Sequence, residues 1–151
     1  MSNALETITA DVWSVQDDFG RVCVDKSIRF EAEAGFAIQT LQANDYALSV
    51  AMKNRQSVIN AVTNIAAIGI SLNPAKKQAY LVPRDGRICL DISYMGLMDL
   101  ALQSGSIRWA QCALVYSGDE FKLDGLDKQP VHKFNPFATD RGQLIGVYAV
   151  V

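Results

Sequence analysis

Apolar side chains recur at helical spacing through the first half of the chain, which runs to Ser71 without a proline. Ser27 has the short, oxygen-bearing side chain typical of an N-cap, and it predicts a helix that extends to about Asn44. Ser57 is expected to cap a second helix. The apolar residues after it fall on one helical face: Val58, Val62, Ile65 and Ala66. Gly69 lies where that helix should end.

The period of the pattern changes after Asn73-Pro74, where apolar and polar residues alternate as they do in strands. Two β-rich runs, 78–83 and 87–92, flank the segment Arg84-Asp85-Gly86. Gly86 can adopt a positive φ at little cost, so this segment is expected to be a tight turn. The pattern therefore predicts a β-hairpin.

Helical spacing returns from Tyr94 to Ser104, and Gly105 is expected to follow the last helical turn. A long strand is predicted from Ile107 to Tyr116, and shorter strands are predicted near Phe121, Val131 and Leu144. The expected fold class is α+β. It comprises N-terminal helices followed by a β-hairpin, a helix and an antiparallel β-meander.

Two regions are expected along the chain: an N-terminal helical region over 1–56 and an α+β core over 57–151. The core ends on GQLIGVYAVV, an apolar strand with no turn or polar tail after it. An exposed apolar edge strand invites aggregation, so natural domains seldom end on one. We therefore expect the core to be incomplete at its C-terminus, or the strand to be covered by a partner.

Composition adds a bias in charge to this picture. The 151 residues are 50% hydrophobic, enough for a folded core, and the net charge is −2. Residues 1–52 hold three basic and eight acidic side chains, a balance of −5, whereas residues 53–151 hold eleven basic and eight acidic, a balance of +3. A polyanion responds to the local field of a surface, so the second part is the expected working surface.

Targeting and redox signals are absent from the sequence. No stretch has the approximately 18 apolar residues of a membrane-spanning helix, and no secretory leader pattern is present, so a cytoplasmic location is expected. The cysteines are Cys23, Cys89 and Cys112, with none of the spacings of a metal site. We interpret them as reduced thiols.

Residues suited to catalysis are few. His132 is the only histidine and lies in no nucleophile motif, and the sequence has no phosphate-binding loop for ATP. The carboxylates of Asp119, Glu120, Asp124 and Asp127 could form a solvated acidic loop or hold a divalent cation. A small metal-assisted hydrolase is thus one alternative, but the expectation is a protein that is not an enzyme and has no catalytic residue or resident metal.

Basic and aromatic residues favour nucleic acid as the partner. Lysine and arginine neutralise phosphates, and tyrosine and tryptophan offer flat faces on which bases stack. The basic candidates are Lys76, Lys77, Arg84, Arg87, Lys122, Lys128 and Lys133, and the aromatic ones are Tyr80, Tyr94 and Trp109. Each has an ordinary structural alternative: Tyr80 could be a core residue, and a lysine pair before a strand is often only solvated surface.

Four short segments, taken in order, resemble the RecT family of phage single-strand annealing recombinases. They are IGISLNP (68–74), AYLVP (79–83), DISYMGL (91–97) with Leu100-Ala101 and Ser104-Gly105 after it, and GDEF (118–121). The similarity extends from about Ser57 to Val151, and more loosely back to Phe30. Each segment alone is a weak signal, but their order is specific to the family.

The resemblance implies an ATP-independent protein of DNA recombination and repair that coats single-stranded DNA and anneals complementary strands. Such proteins form rings or helical filaments and work beside a phage exonuclease, with Mg²⁺ as an optional aid to annealing. Annealing changes no covalent bond, which would account for the lack of a catalytic motif. The DNA-binding residues implied by motif or charge are Lys76, Lys77, Tyr80, Arg84, Arg87, Tyr94, Lys122 and Lys133.

Two features depart from the family pattern. Relatives usually carry an arginine between the Tyr and Gly of the DISYMGL-like segment, and this chain has Met95 there. Relatives are also longer and continue past the terminal strand. The alternative to an annealing protein is therefore a truncated prophage module that keeps its oligomerisation surfaces without annealing DNA.

Overall fold

A computed structural model describes residues 2–151, which divide into two compact units after Gln103. The first unit contains α1 (Ser2–Ser14), α2 (Gln16–Val22), α3 (Phe30–Gln42), α4 (Asp45–Lys53), α5 (Arg55–Ile68), β1 (Ala79–Arg84), β2 (Arg87–Ile92) and α6 (Tyr94–Gln103). The second contains β3 (Gln111–Tyr116), β4 (Glu120–Lys122), β5 (Val131–Lys133) and β6 (Leu144–Val150). The expected α+β class is confirmed. Residues 56 and 57, between which the two regions were expected to divide, both lie in α5.

Asparagine side chains cap the central helices of the first unit. The Asn44 side chain accepts from the Ala47 N–H at the start of α4, and the Asn54 side chain accepts from the Ser57 N–H at the start of α5. The predicted cap at Ser57 is therefore wrong by three residues. Gly69 ends α5 with φ 79°, as predicted.

The Ser57 hydroxyl has a different partner, because it accepts from the buried N–H of Ile88 on β2 at 2.9 Å. The predicted cap at Ser27 is also wrong, because α3 begins at Phe30. The N–H of Ser27 instead donates to the Asp25 carboxylate, which closes a turn before the helix.

One hydrophobic core joins the helices to the hairpin in the first unit. Its largest fully buried side chains are Phe19, Ile8, Leu41, Ile65, Ile70, Val12, Val58 and Val62. Leu81 on β1 and Ile88 on β2 contribute from the inner face of the hairpin. Asp11 of α1 and Arg55 of α5 add a two-point ion pair at 2.5 and 2.6 Å. The hairpin is thus fixed on a helical base.

The hairpin has the predicted geometry. β1 and β2 pair in register from Arg84↔Arg87 to Ala79↔Ile92. Asp85 and Gly86 both have positive φ, 51° and 70°, which are the conformations of a type I′ turn. This turn matches the natural twist of the two strands, so the local sequence is sufficient to set the register.

The second unit has a nested arrangement of antiparallel strands. β3 pairs with β6, and β4 pairs with β5 between them. The predicted meander order is therefore wrong, because β6 returns to β3 and not to β5. The predicted start of β3 at Ile107 is also wrong. β6 provides partners only from Gln111 onwards, so residues 107–110 have no ladder to join.

Candidate nucleic-acid interface

The outer side of the hairpin presents a row of polar and aromatic residues. Strand alternation places on one side Tyr80, Val82, Arg84, Arg87, Cys89 and Asp91, which we call the hairpin face. Tyr80 is 46% exposed, which decides against its alternative as a core residue. The inner residues Leu81 of β1 and Ile88 of β2 are buried, so the hairpin face is the solvent side of the ribbon.

Charge is unevenly balanced on the hairpin face. Arg84 lies 3.7 Å from the Asp91 carboxylate, and both side chains are largely exposed, so the pair contributes little to stability. Arg87 is exposed and forms no ion pair with any residue in 2–151. The guanidinium of Arg87 is consequently the cation on this face best placed to meet a phosphate.

The basic turn, residues 73–77, leads into β1. The carbonyl oxygen of Asn73 accepts from the N–H groups of Lys76 and Lys77, and its side chain accepts from Ala75. Lys77 has φ 53°, an uncommon value for a residue with a side chain. Lys76 and Lys77 are exposed. The pKa of Asp25 is lowered mainly by its hydrogen bond from Ser27, with a smaller contribution from the charge of Lys76.

Buried hydrogen bonds anchor the residues on either side of the basic turn. The Glu33 carboxylate on α3 accepts from the Ser71 hydroxyl at 2.5 Å and from the Leu72 N–H at 2.7 Å. The Ser71 N–H donates to the side-chain oxygen of Gln78, whose amide nitrogen donates to Asp99 on α6 at 2.8 Å. We call this chain of hydrogen bonds the Glu33 network. It links α3 to α6 through the residues that flank the basic turn.

The start of α6 is fixed to the same turn. The Ser93 hydroxyl donates to the Lys77 carbonyl at 2.6 Å and accepts from the Gly96 N–H at 3.1 Å. A Cβ at Gly96 would lie 2.3 Å from the Gln78 carbonyl oxygen, so only glycine permits this approach. Tyr94 follows Ser93 and is 74% exposed. Tyr94 thus begins a helix anchored to the carbonyl of a candidate lysine.

Of the eight predicted DNA-binding residues, six belong to the first unit, on the hairpin face, in the basic turn or at the start of α6: Lys76, Lys77, Tyr80, Arg84, Arg87 and Tyr94. Lys122 and Lys133 lie in the second unit, on β4 and β5. Lys122 pairs with Asp124 at 2.9 Å and Lys133 with Glu120 at 3.1 Å. Their charges are partly compensated by those carboxylates.

The second unit contains a buried polar cluster that the sequence did not predict. Arg141 donates to both oxygens of Asp119, at 2.9 and 2.5 Å, and the Tyr116 N–H donates at 2.8 Å. These hydrogen bonds, with that of Arg141 first, hold the pKa of Asp119 well below its ordinary value of 3.8 despite burial. The same contact raises the pKa of Arg141. The Arg141 guanidinium also stacks 3.9 Å from the ring centre of Phe134.

His132 completes this cluster, which we call the Asp119 cluster. Its Nε2 lies 3.0 Å from Asp119, and its Nδ1 lies 3.1 Å from the Tyr148 hydroxyl. The ionised carboxylate can only accept, so the hydrogen bond to Asp119 is donated by Nε2 of His132. Both the His132 and Asp119 side chains are almost fully buried, at 4% and 1% exposed.

The four carboxylates of the acidic loop all have partners within the second unit. Asp119 is saturated by its own cluster, while Glu120, Asp124 and Asp127 each pair with a lysine. Throughout residues 2–151, no three His, Cys, Asp or Glu side chains converge into a group that could hold a metal ion. Separately, none of the helices over this range is long and apolar enough to cross a bilayer.

Comparison with known proteins agrees with the family resemblance. The model of the RecT family matches residues 32–151. Protein RecT of Escherichia coli (strain K12) is 32% identical to this chain over 103 residues, covering 62% of this chain and 38% of the E. coli protein. The chain thus spans well under half the length of that relative. Since the family match extends over more than half of the sequence, the chain belongs to the RecT family.

Proposed function

We propose that this chain binds single-stranded DNA and anneals complementary strands without ATP, in the cytoplasm, as part of phage-type homologous recombination. The observation that carries the proposal is the combination of exposed Tyr80 and Arg87 with the basic turn and Tyr94 on one rigidly held unit. Membership of the RecT family supports it.

The chemistry of this surface suits annealing. Lysine and arginine that neutralise phosphates supply affinity independent of sequence, and tyrosine faces accept any base. Base edges must stay free to pair, so contacts to the backbone are preferable to direct readout of bases. No covalent bond changes, and we propose no catalytic residue and no resident cofactor, with Mg²⁺ only as an aid to annealing. Assembly into rings or filaments, and a phage exonuclease as partner, are parts of the same proposal.

A salt-dependent titration tests the binding step. We expect labelled single-stranded DNA to bind at micromolar protein, with affinity falling as salt rises. The double variant K76A/K77A should lower the slope of log K against log salt by about 1.4, from two contacts at about 0.7 each. The matched control R29A/K53A removes two exposed charges from the same unit and should leave the slope unchanged. Binding insensitive to salt, or absent, would overturn the proposal.

A second candidate function rests on the second unit. Leu114 and Val147 lie directly opposite each other on the β3–β6 pair, and they are 47% and 68% exposed. An apolar strand pair of this kind is a surface for assembly between chains. The chain would then act as an oligomerisation module without annealing. Sedimentation that shows only monomers at every concentration would rule this function out.

A further inference from the structure

Two open grooves meet along the exposed side of α5. The first has a volume of about 630 Å³ and the second about 310 Å³, and Asn60 and Asn64 line both. Gln56 and Thr63 line the first groove. We call Gln56, Asn60, Thr63 and Asn64 the polar stripe, because their spacing of four, seven and eight residues places them on one side of the helix.

The polar stripe offers unused hydrogen-bond donors and no charge. Gln56 donates to the side-chain oxygen of Asn60 at 3.0 Å, and the Thr63 hydroxyl donates to the Ile59 carbonyl. Within residues 2–151, the side-chain nitrogen of Asn60 donates no hydrogen bond, and the side-chain amide of Asn64 forms none. Asparagine is a poor helix former, so helix propensity does not explain its repetition here.

Arginines lie at the two ends of this surface. Arg87 lines the second groove and is also a member of the hairpin face, so the two surfaces are continuous through one side chain. Arg21 lines the first groove, where it pairs with Asp18. A strand that contacts Arg87 on the hairpin therefore has a direct path onto α5.

We infer that single-stranded DNA held on the hairpin face continues across the polar stripe, where Asn60 and Asn64 donate to phosphate and sugar oxygens. The inference rests on the proposed function and specifies its path. From Gln56 to Asn64 the helix rises about 12 Å, so the polar stripe can follow a short stretch of an extended strand. Amide donors hold a backbone without releasing counterions, so this part of the interface contributes affinity that salt does not remove.

The double variant N60A/N64A tests the inference in the same salt titration. Alanine is the better helix former, so the fold is retained. We expect the dissociation constant to rise about three- to tenfold at every salt concentration, with the slope unchanged. In contrast, R87A should reduce the slope by about 0.7. The control Q42A removes an exposed helical amide outside both grooves and should bind like the wild type.

Each outcome separates the two proposals. If the affinity of the wild type falls with salt as expected and N60A/N64A binds equally well, the polar stripe is not on the path of the DNA. That result overturns the inference, while the proposed function stands. A reduced slope in N60A/N64A would also overturn it, because an uncharged contact cannot change counterion release. If the wild type itself does not bind, the proposed function fails first.

Discussion

The two units of this chain are held together in different ways. The first unit contains every buried apolar side chain in residues 2–151 except Val115, packed among its helices and the hairpin. The second unit combines short strand pairs with the Asp119 cluster, and many of its large apolar side chains are exposed. A buried core stabilises through area removed from water, whereas a polar cluster stabilises only while every member has its partner. The difference predicts where each unit is vulnerable.

The largest effect is expected in the core of the first unit. Leu41 is fully buried, and L41A should reduce the free energy of unfolding of this unit by about 2–5 kcal/mol through lost burial and a residual cavity. Urea denaturation followed by helical circular dichroism measures it. The control L97A removes a leucine that is 57% exposed and should cost less than about 0.5 kcal/mol. If L41A and L97A reduced the free energy of unfolding equally, Leu41 would not be a core residue.

The next effect should appear only in the second unit. D119N leaves the charge of Arg141 without its ion pair and gives His132 an amide as its neighbour. Hydrogen exchange should show loss of protection in β3 and β6, with the helices of the first unit unchanged. D127N alters an exposed carboxylate and should leave exchange as it is. Protection that survives in D119N would show that strand pairing alone holds this unit.

Acid is expected to destabilise the second unit by protonating Asp119. Because the folded pKa of Asp119 lies below its ordinary value of 3.8, its contribution to stability is present above that pH and is lost as pH falls through the folded value. We expect the protection of amides in β3 and β6, measured against unfolded-chain exchange at the same pH, to fall below about pH 3.8 in the wild type. In D119N this acid-dependent step should be missing, and a step of equal size in both proteins would contradict the assignment.

A smaller effect is expected in the Glu33 network, a polar cluster of the first unit that supports the basic turn. E33Q keeps the shape but loses a charged acceptor for Ser71 and Leu72, which should cost about 1–3 kcal/mol of unfolding free energy. E31Q changes an exposed carboxylate on the same helix and should be close to neutral. Urea denaturation compares the two, and a neutral E33Q would remove the network as a support for the turn.

The smallest effect is expected for valine-to-alanine changes, which compare the same substitution in the two units. Val62 in the first unit is fully buried and Val147 in the second is 68% exposed, so V62A should cost about 1–2 kcal/mol and V147A less than about 0.5. Thermal unfolding at two protein concentrations provides the measurement. A V147A cost that matches V62A and grows with concentration would mean that another chain covers this strand in solution.

Local signals in the sequence were sufficient for the hairpin and its turn. Asp85-Gly86 fixes a type I′ turn within two residues, and alternation then decides that Tyr80, Arg84 and Arg87 share one side. Local signals were not sufficient for helix caps, because Asn54 and Ser57 are both good cap residues three positions apart. Which of the two caps α5 depended on Ile88, whose buried N–H donates to the Ser57 hydroxyl.

Pairings between distant residues could not be predicted. Nothing near Glu33 in the chain indicates that it accepts from Ser71, 38 residues away. The nested order of β3 to β6 likewise depends on which short strands meet after the loops close, and each strand alone is compatible with several partners.

The sequence by itself determined the family, the α+β class, the hairpin and the candidate residues on it, because these depend on local order and periodicity. Only the tertiary structure decided that the basic turn is supported from α3 and α6, and that Arg87 connects the hairpin to the polar stripe of α5. It alone also showed that Asp119 belongs to a buried cluster. Such relations arise when burial brings together groups far apart in the chain, and buried polar groups then require partners wherever the fold supplies them.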